Sequence, residues 1–500
     1  MSRKKKLLLN TSLSIAYKII SVVCAFILPR LILSHYGSAV NGLAESISNF
    51  LGFITLLEMG ITSVIDANLY KPLAMKKYDE VNDIFISSKR FFRRIAYIFI
   101  AYVLVLLVVY PLTVKESFDY TYSALLIAII AISTFTQYYF GISYRILINA
   151  DQRGYVVTIL QGITIVLSTI ISIVLIKLNS SIHIVKLAVS LIYAAQPVCF
   201  HFYAKRRYHL NTRKTISGEP IKQKWNGFAQ HLAFIIATKT DIIVLTLFSS
   251  LENVSVYGVY ALVLGGITTV FDALYIGISP MIGNMLVTDD NEKLNKVFNV
   301  YDWISHFSTT FLFTLCGILI VPFVKIYTRG ITDANYVVPL FAILLTLAYA
   351  IQVLRTPYKT VVHAAGHFKQ TQLGAIIEAA LNVTISVLMV FKFGLIGVAI
   401  GTIVSMLFRT IHFVWYLSKN ILHRSFALFV RSLLIDILCV AAILLPCIFV
   451  YEECSSYTDW IVYAFRIGLL GLFPCLAINM VFYKQTIKDA FTFLRKDSGR

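Results

Sequence analysis

Residues 205–224 read KRRYHLNTRKTISGEPIKQK. Lys205, Arg206, Arg207, Arg213, Lys214, Lys222 and Lys224 stand there against one acid, Glu219. Ser217, Gly218 and Pro220 argue against a helix running through it, because glycine and proline punctuate regular structure. On either side lies a run of long apolar segments, and the two runs are organised alike. The stretch is read as a cytoplasmic linker between two membrane-embedded lobes, and the rest of the chain is assigned outward from it.

The chain has 500 residues, 58% of them hydrophobic and only 14% charged. Its mean hydropathy is +0.77. Many segments exceed about 18 residues with few or no charges, the length needed to cross the hydrocarbon layer. A soluble domain carrying one or two anchors does not fit, since no soluble-looking stretch exceeds about 30 residues. A β-barrel does not fit either. Its strands alternate apolar and polar residues, whereas VLVLLVVYPL at 103–112 and LSTIISIVLI at 167–176 are apolar on nearly every face. The expected fold class is an all-α polytopic membrane protein.

Fourteen spans are predicted: 7–33, 43–67, 95–114, 122–144, 155–176, 184–204, 226–248, 256–286, 301–326, 334–354, 372–391, 395–416, 427–450 and 461–483. With the N-terminus placed in the cytoplasm, 32 of the 44 Lys and Arg residues fall in inside segments and 6 at outside loops. Cytoplasmic loops carry such an excess in bacterial and other inner membranes, so both termini are expected in the cytoplasm and the number of spans is expected to be even. The same bias explains the net charge of +19 without nucleic acid. The basic loops 68–94 and 205–224 would instead face anionic inner-leaflet lipid. The N-terminal MSRKKKLLLNTSLS lacks a small-residue cleavage site and is read as the start of an uncleaved first span. Of the seven cysteines, all but Cys454 lie within spans and none has metal-ligand or C-x-x-C spacing, so no metal is expected.

The two halves echo each other weakly. RILINADQRGY at 145–155 and KTVVHAAGHFK at 359–369 both sit at the inner end of the fourth span of their half, and Tyr36-Gly37 and Tyr257-Gly258 follow the first. Six spans, a linker and six more suggest a duplicated transporter. The predicted organisation is an N-terminal lobe at 1–204, the linker at 205–224, a C-terminal lobe at 225–417, and two added spans with a cytoplasmic tail at 418–500. No G-x-x-x-x-G-K-[ST] motif occurs, so the chain is not expected to hydrolyse ATP. Neither a D-x-D, a nucleophile elbow nor paired carboxylates in an outside loop point to an enzyme.

Charge inside a span is costly and therefore marks candidate sites. Lys18 lies near mid-depth in span 1, with Ser14 and Ser21 on the same stripe. Lys239 and Asp241 lie mid-depth in span 7, two residues apart and so on different faces. Glu58 is mid-depth in span 2 and Asp272 in span 8. Arg30, Arg409, Asp436 and Arg466 are nearer an interface, and Glu45, Asp66, Glu378 and Arg431 are placed to reach one by snorkelling. Two readings stand side by side: structural salt bridges between packed helices, or a water-filled cavity lined by Lys18, Arg30 and Lys239 that attracts an anionic group. His306 and His412 are equally open to packing or proton relay. Gln137-Tyr138-Tyr139 is open to packing or to stacking on a sugar. GLIGVAIG at 394–401 offers a small-residue face for close helix approach, and Pro280 is expected to break or bend the long eighth span.

Three blocks carry a family resemblance: LPRLILSHYGSAVNGLAESISNFLGFITLLEMGITSVI at 28–65, ATKTDIIVLTLF at 237–248 followed by VSVYGVYALV, and AAGHFKQTQLGAIIEAALNVTISVLMVFKFGLIGVAIGTIVSMLFR at 364–409. The chain resembles the Wzx-type flippases for lipid-linked oligosaccharides, within the multidrug/oligosaccharidyl-lipid/polysaccharide (MOP) exporter superfamily. The resemblance spans roughly 7–483. It implies about fourteen helices in a bacterial cytoplasmic membrane, with two MATE-like six-helix lobes plus two C-terminal helices. It also implies flipping of undecaprenyl-diphosphate-linked repeat units to the outer leaflet for a surface polymer such as capsule or O-antigen, beside a polymerase and other assembly proteins. Thr240-Asp241 matches the family's Asn-Thr-Asp pattern, with Lys239 in place of Asn, and Arg30 matches the basic residue ending the first span. Lys18, Arg30 and Lys239 are thus the expected head-group contacts, with Asp241, Glu58 and Asp272 as cavity or coupling acids. No cofactor is implied; the driving ion is H+ or Na+, or consumption of product suffices. A lipid II flippase of the same fold and an ion-coupled multidrug antiporter are the rivals, and a non-transporting scaffold is the reading least in keeping with mid-depth charge.

Overall fold

Lipid offers no hydrogen bonds to a backbone, so apolar runs of this length satisfy their own amides as helices. The computed structural model describes residues 3–208, 210–211, 239–275, 278–287, 291–450 and 452–497, and every regular element among them is helical. Twelve of these helices are long and apolar enough to cross a membrane. The described residues fall into two compact units. The first holds 3–211 together with Ser250–Ser255; the second holds 239–249 and everything from Val256 onward.

The first unit begins with α1 (Arg3–Tyr36), which turns at Gly37 into α2 (Ser38–Leu51). Gly37 has φ of 85°, a left-handed conformation that glycine adopts without strain. The predicted second span, 43–67, is not one helix. It comprises the end of α2, a tight 3₁₀ segment at Gly52–Leu57, and the start of α3 (Met59–Ala74). Within that segment the Thr55 hydroxyl donates to the Gly52 carbonyl at 2.7 Å, and the Glu58 amide to Thr55 O at 3.1 Å. Next come α4 (Tyr78–Thr113), α5 (Tyr120–Thr136), a single π turn at Gln137–Gly141, α6 (Ile142–Ala150), α7 (Gly154–Lys177) and α8 (Ile182–Tyr208). Their apolar faces share one core, centred on Phe85, Phe92, Phe99, Leu126, Leu147 and Phe200.

The basic stretch at 205–224 starts inside a helix: Lys205, Arg206 and Arg207 form the last turn of α8. Cations there meet the negative end of the helix dipole. Residues 209 and 212–224 of the predicted linker, and 226–238 of the predicted seventh span, lie outside the described residues.

In the second unit, α9 (239–248) carries the end of that span. It is followed by α10 (Leu251–Tyr275), whose first turn belongs to the first unit, and by α11 (Ile278–Val287), α12 (Asn291–Tyr327), α13 (Pro339–Leu354), α14 (Thr356–Ala364), α15 (Gln372–Phe393) and α16 (Leu395–Asn420). The predicted eighth span thus becomes two helices, α10 and α11. Pro280 is in the first turn of α11, where a helix needs no amide donor. Gly394, at φ of 53°, turns α15 into α16. On α16 a Cβ at Gly397 would lie 2.3 Å from Met389 O, and one at Gly401 2.2 Å from Ser386 Oγ. The small face of GLIGVAIG is therefore where α15 and α16 touch. The chain ends with α17 (Ala427–Phe449), α18 (Tyr457–Phe482) and α19 (Lys484–Asp497). Ile435, Cys439, Ile443, Tyr463, Ile467 and Cys475 of α17 and α18 form one buried cluster with Leu315, Leu319 and Ile326 of α12.

Candidate functional site

In the first unit both irregular turns converge on Glu58. The 3₁₀ segment ends at it, and the π turn presents Tyr138 to it. The Tyr138 hydroxyl donates to Glu58 Oε2 at 2.8 Å, and Arg145 Nη2 donates to Oε1 at 2.8 Å. An extra residue per turn is the signature of a π segment and recurs at functional positions. Here it is braced from α8: Gln137 Nε2 donates to Tyr193 O at 3.2 Å and to Gln196 Oε1 at 3.1 Å. A Cβ on Gly141 would meet Pro197 Cγ at 2.9 Å, so that position must be small.

Arg145 also lines a polar cavity of about 410 Å³, together with Asn10, Ser14, Asp66, Asn149 and Gln161. That volume lies within the range of about 300–1,000 Å³ typical of small-molecule sites. One wall is held by Asn10, whose Oδ1 accepts from the Tyr155 amide at 2.6 Å and whose Nδ2 donates to Gln152 O at 3.2 Å. Lys6 Nζ donates to Asp151 O at 2.9 Å beside it. Asp66 Oδ1 is buried without a hydrogen-bond donor. Sequence reasoning read Asp66 as reaching an interface and Arg145 as a loop cation; the fold puts both in this cavity.

In the second unit Asp241 is buried, 4% exposed. Its Oδ2 accepts from the Tyr257 hydroxyl at 2.8 Å and the Thr402 hydroxyl at 2.8 Å. Asn382 Nδ2 donates to Thr402 Oγ1 at 3.3 Å and Ser405 Oγ at 3.4 Å, closing a polar knot among α9, α10, α15 and α16. Asp241 Oδ1 has no donor. Two neutral hydroxyls and one open carboxylate oxygen suit a site that takes up or releases a proton or a small cation. Among the described residues, no three His, Cys, Asp or Glu side chains are grouped to hold a metal ion.

Two further clusters were only partly foreseen. Glu378 does not snorkel: Arg355 Nη1 lies 2.5 Å from its Oε1 and Arg409 Nε 3.4 Å from its Oε2. His306 sits between two acids. Its Nδ1 is 2.5 Å from Asp436 Oδ2 and its Nε2 3.6 Å from Asp302 Oδ1, and Arg424 Nη2 is 3.7 Å from Asp302 Oδ2.

The other expected site residues are dispersed. Lys18 and Arg30 are half-buried on α1, twelve residues and therefore about 18 Å apart along the axis. They do not share one contact point on that helix. Lys239 is half-buried at the start of α9, and Asp272 is exposed near the end of α10. Of the six, Glu58 and Asp241 each accept two side-chain hydrogen bonds on their carboxylates.

No family model matches the chain, and no curated protein matches it. Solved structures do. A lipid II flippase, MurJ, in an inward closed conformation is 16% identical, with a TM-score of 0.67 over 96% of this chain and 100% of that one. An inward-facing multidrug resistance MATE family transporter of the MOP superfamily is 12% identical, with a TM-score of 0.61 over 82% of this chain and 98% of that one. A eukaryotic MATE transporter is 15% identical, with a TM-score of 0.58 over 83% and 95%. At these identities the likeness is one of fold: the chain has the multi-helix bundle of the MOP-superfamily transporters.

Proposed function

We propose that the chain is a transporter that moves a lipid with a charged, sugar-bearing head group from the cytoplasmic to the outer leaflet of a bacterial cytoplasmic membrane. Undecaprenyl-diphosphate-linked oligosaccharide and lipid II are the two cargo types of this class. The observation that carries the reading is the extent of the likeness. The lipid II flippase covers 96% of this chain, whereas the two MATE transporters cover 82% and 83%. The part from residue 418 onward makes up about one sixth of the chain, and α17 and α18 within it are packed into the core with α12. A fold that includes such helices favours a lipid flippase over a multidrug antiporter.

On this reading Lys18 and Arg30 on α1 and Lys239 on α9 are each a separate candidate contact for an anionic head group, because ammonium and guanidinium groups form short, strong hydrogen bonds to phosphate oxygens. Asp241 is the coupling acid. It binds H+ or Na+ on the open oxygen while Tyr257 and Thr402 hold the other. Glu58 is a positioning residue that orients Arg145 over the polar cavity, and Asp272 keeps only a peripheral part. Alternating access on this reading involves the two lobes, 1–204 and 225–417, joined by 205–224, with 418–500 as an addition to the second lobe.

The test uses purified full-length protein in liposomes. Lipid II, an undecaprenyl-diphosphate oligosaccharide and an organic cation are offered in parallel, with and without proton and sodium gradients. Head groups of at least one lipid should become accessible in the opposite leaflet. Asp241→Asn should abolish the gradient-dependent part and leave the protein folded. Gradient-driven efflux of the cation with neither lipid moving would replace the flippase with a drug antiporter.

A further inference from the structure

A second polar site lies on the first unit, away from Glu58 and the cavity. Lys89 and Arg93 are one turn apart on α4. Arg93 Cζ lies over the Tyr139 ring, 4.8 Å from its centroid, and Lys89 Nζ lies over the Tyr144 ring at 5.9 Å. Tyr144 is oriented in turn by His201 of α8, with 2.7 Å between its hydroxyl and Nδ1. Lys205 follows one turn further along α8. Adjacent residues of the π turn thus serve different sites: Tyr138 faces Glu58, and Tyr139 faces Arg93.

The ring faces hold these cations from one side but accept few of their hydrogen bonds. Arg93 Nε is buried with no acceptor. Among the described residues no carboxylate pairs with Lys89 or Arg93, and that of Glu58 is engaged by Tyr138 and Arg145. Like charges one turn apart on a helix repel, and a buried guanidinium donor without an acceptor is costly. A bound anion removes both penalties at once. Depth and surroundings say which anion. The apolar run of α4 begins at Ile95, so Arg93 lies where hydrocarbon gives way to head groups. Tyr97 and Phe140, which pack on Tyr139, and Phe202, which packs on His201, are exposed, at 57%, 48% and 58%. Phosphate-binding donors with an apolar, aromatic rim match a lipid, with its phosphate on the cations and its chains along the rim.

We propose that Lys89 and Arg93, framed by Tyr139, Tyr144 and His201, form a binding site for the phosphate of an anionic phospholipid at the basic end of the first unit. The site is independent of what the protein transports.

The test follows the thermal midpoint of the purified full chain in detergent as short-chain phosphatidylglycerol, phosphatidylcholine of the same chain length, or inorganic phosphate is added. Phosphatidylglycerol should raise the midpoint saturably, and the other two should not. Lys89→Ala/Arg93→Ala should weaken that response at least tenfold, the loss expected from even one charge-assisted contact. Lys76→Ala/Lys77→Ala, which removes the same charge from an exposed turn, should leave it unchanged. If the first pair does not fold, Arg93→Lys carries the test: it keeps the charge, loses the planar fork, and should still weaken the response. Equal stabilisation by inorganic phosphate would keep the anion site and overturn its assignment to lipid. A response unchanged by Lys89→Ala/Arg93→Ala and by Arg93→Lys, or lost as fully in the Lys76/Lys77 control, would overturn the site itself.

Discussion

Glu378 illustrates what single residues contribute and what a sequence hides about them. Its side chain is 11% exposed, and those of its partners Arg355 and Arg409 are 9% and 3% exposed. Arg409 is also held by the Thr371 carbonyl at 2.9 Å and by the Phe413 ring at 4.1 Å. Breaking a buried ion pair from one side leaves an uncompensated charge and costs about 3–5 kcal/mol, while replacing both partners with apolar groups is often near neutral. Glu378→Gln should therefore destabilise the protein by about 3 kcal/mol in detergent unfolding, and Glu378→Leu/Arg355→Met/Arg409→Met, which removes all three charges, should recover most of it. A loss below about 0.5 kcal/mol for Glu378→Gln would mean that water already solvates the triad. Spacing along the chain marked Glu378, Arg409, Glu58 and Asp241 as charges in spans. It did not pair them with Arg355, Arg145, Tyr257 or Thr402, which are 16 or more residues away along the chain and meet them only through packing. Arg145 was read as a loop cation for the same reason: it is placed by Glu58, 87 residues earlier.

At the scale of elements, hydropathy found the apolar segments but not the breaks inside them. Span 43–67 is uniformly apolar enough to read as one helix, yet the 3₁₀ segment at Gly52–Leu57 interrupts it, and the π turn at Gln137–Gly141 interrupts the fourth span. The π turn is supported by Gln196 and Pro197 of α8, and the 3₁₀ segment ends at Glu58, which Tyr138 and Arg145 hold; hydropathy sees none of these contacts. The close approach of α15 and α16 was legible, because small residues three and four apart on a span leave room for another backbone. Gly401 tests it. Its missing side chain is what allows Ser386 Oγ to lie where a Cβ would be. Gly401→Val should cost about 1–3 kcal/mol through overpacking and loosen Asn382, which lies one turn from Ser386 and bonds Thr402. Gradient-dependent transport should then fall along with stability. Unchanged unfolding would mean that the two helices separate without penalty.

For the whole molecule, the membrane supplies the frame and the charges supply its direction. An apolar layer about 30 Å thick takes roughly 20 helical residues. α4 has 36 residues and α12 has 37, so each is about 54 Å long or slightly more and must extend well beyond the layer at one end. Both begin with polar, charged turns and finish with apolar ones, so the projecting end is the N-terminal one in each. In α4 that end carries Lys89, Arg90, Arg93 and Arg94; in α12 it carries Lys293 and Lys296. If basic ends face the cytoplasm, Lys76, Gln152 and His423 lie on that side, and Ser180, Asp333 and Glu452 lie outside. Single cysteines at these six positions, in a background lacking the native seven, should divide cleanly when intact cells meet a membrane-impermeant maleimide. The last three should label at once and the first three only after the membrane is opened. Reversed labelling of 333, 423 and 452 with 76, 152 and 180 as expected would mean an odd number of crossings between residues 180 and 333, where four are assigned. That would overturn the parallel assignment of the two halves, and with it the duplicated-transporter reading on which the coupling role of Asp241 rests.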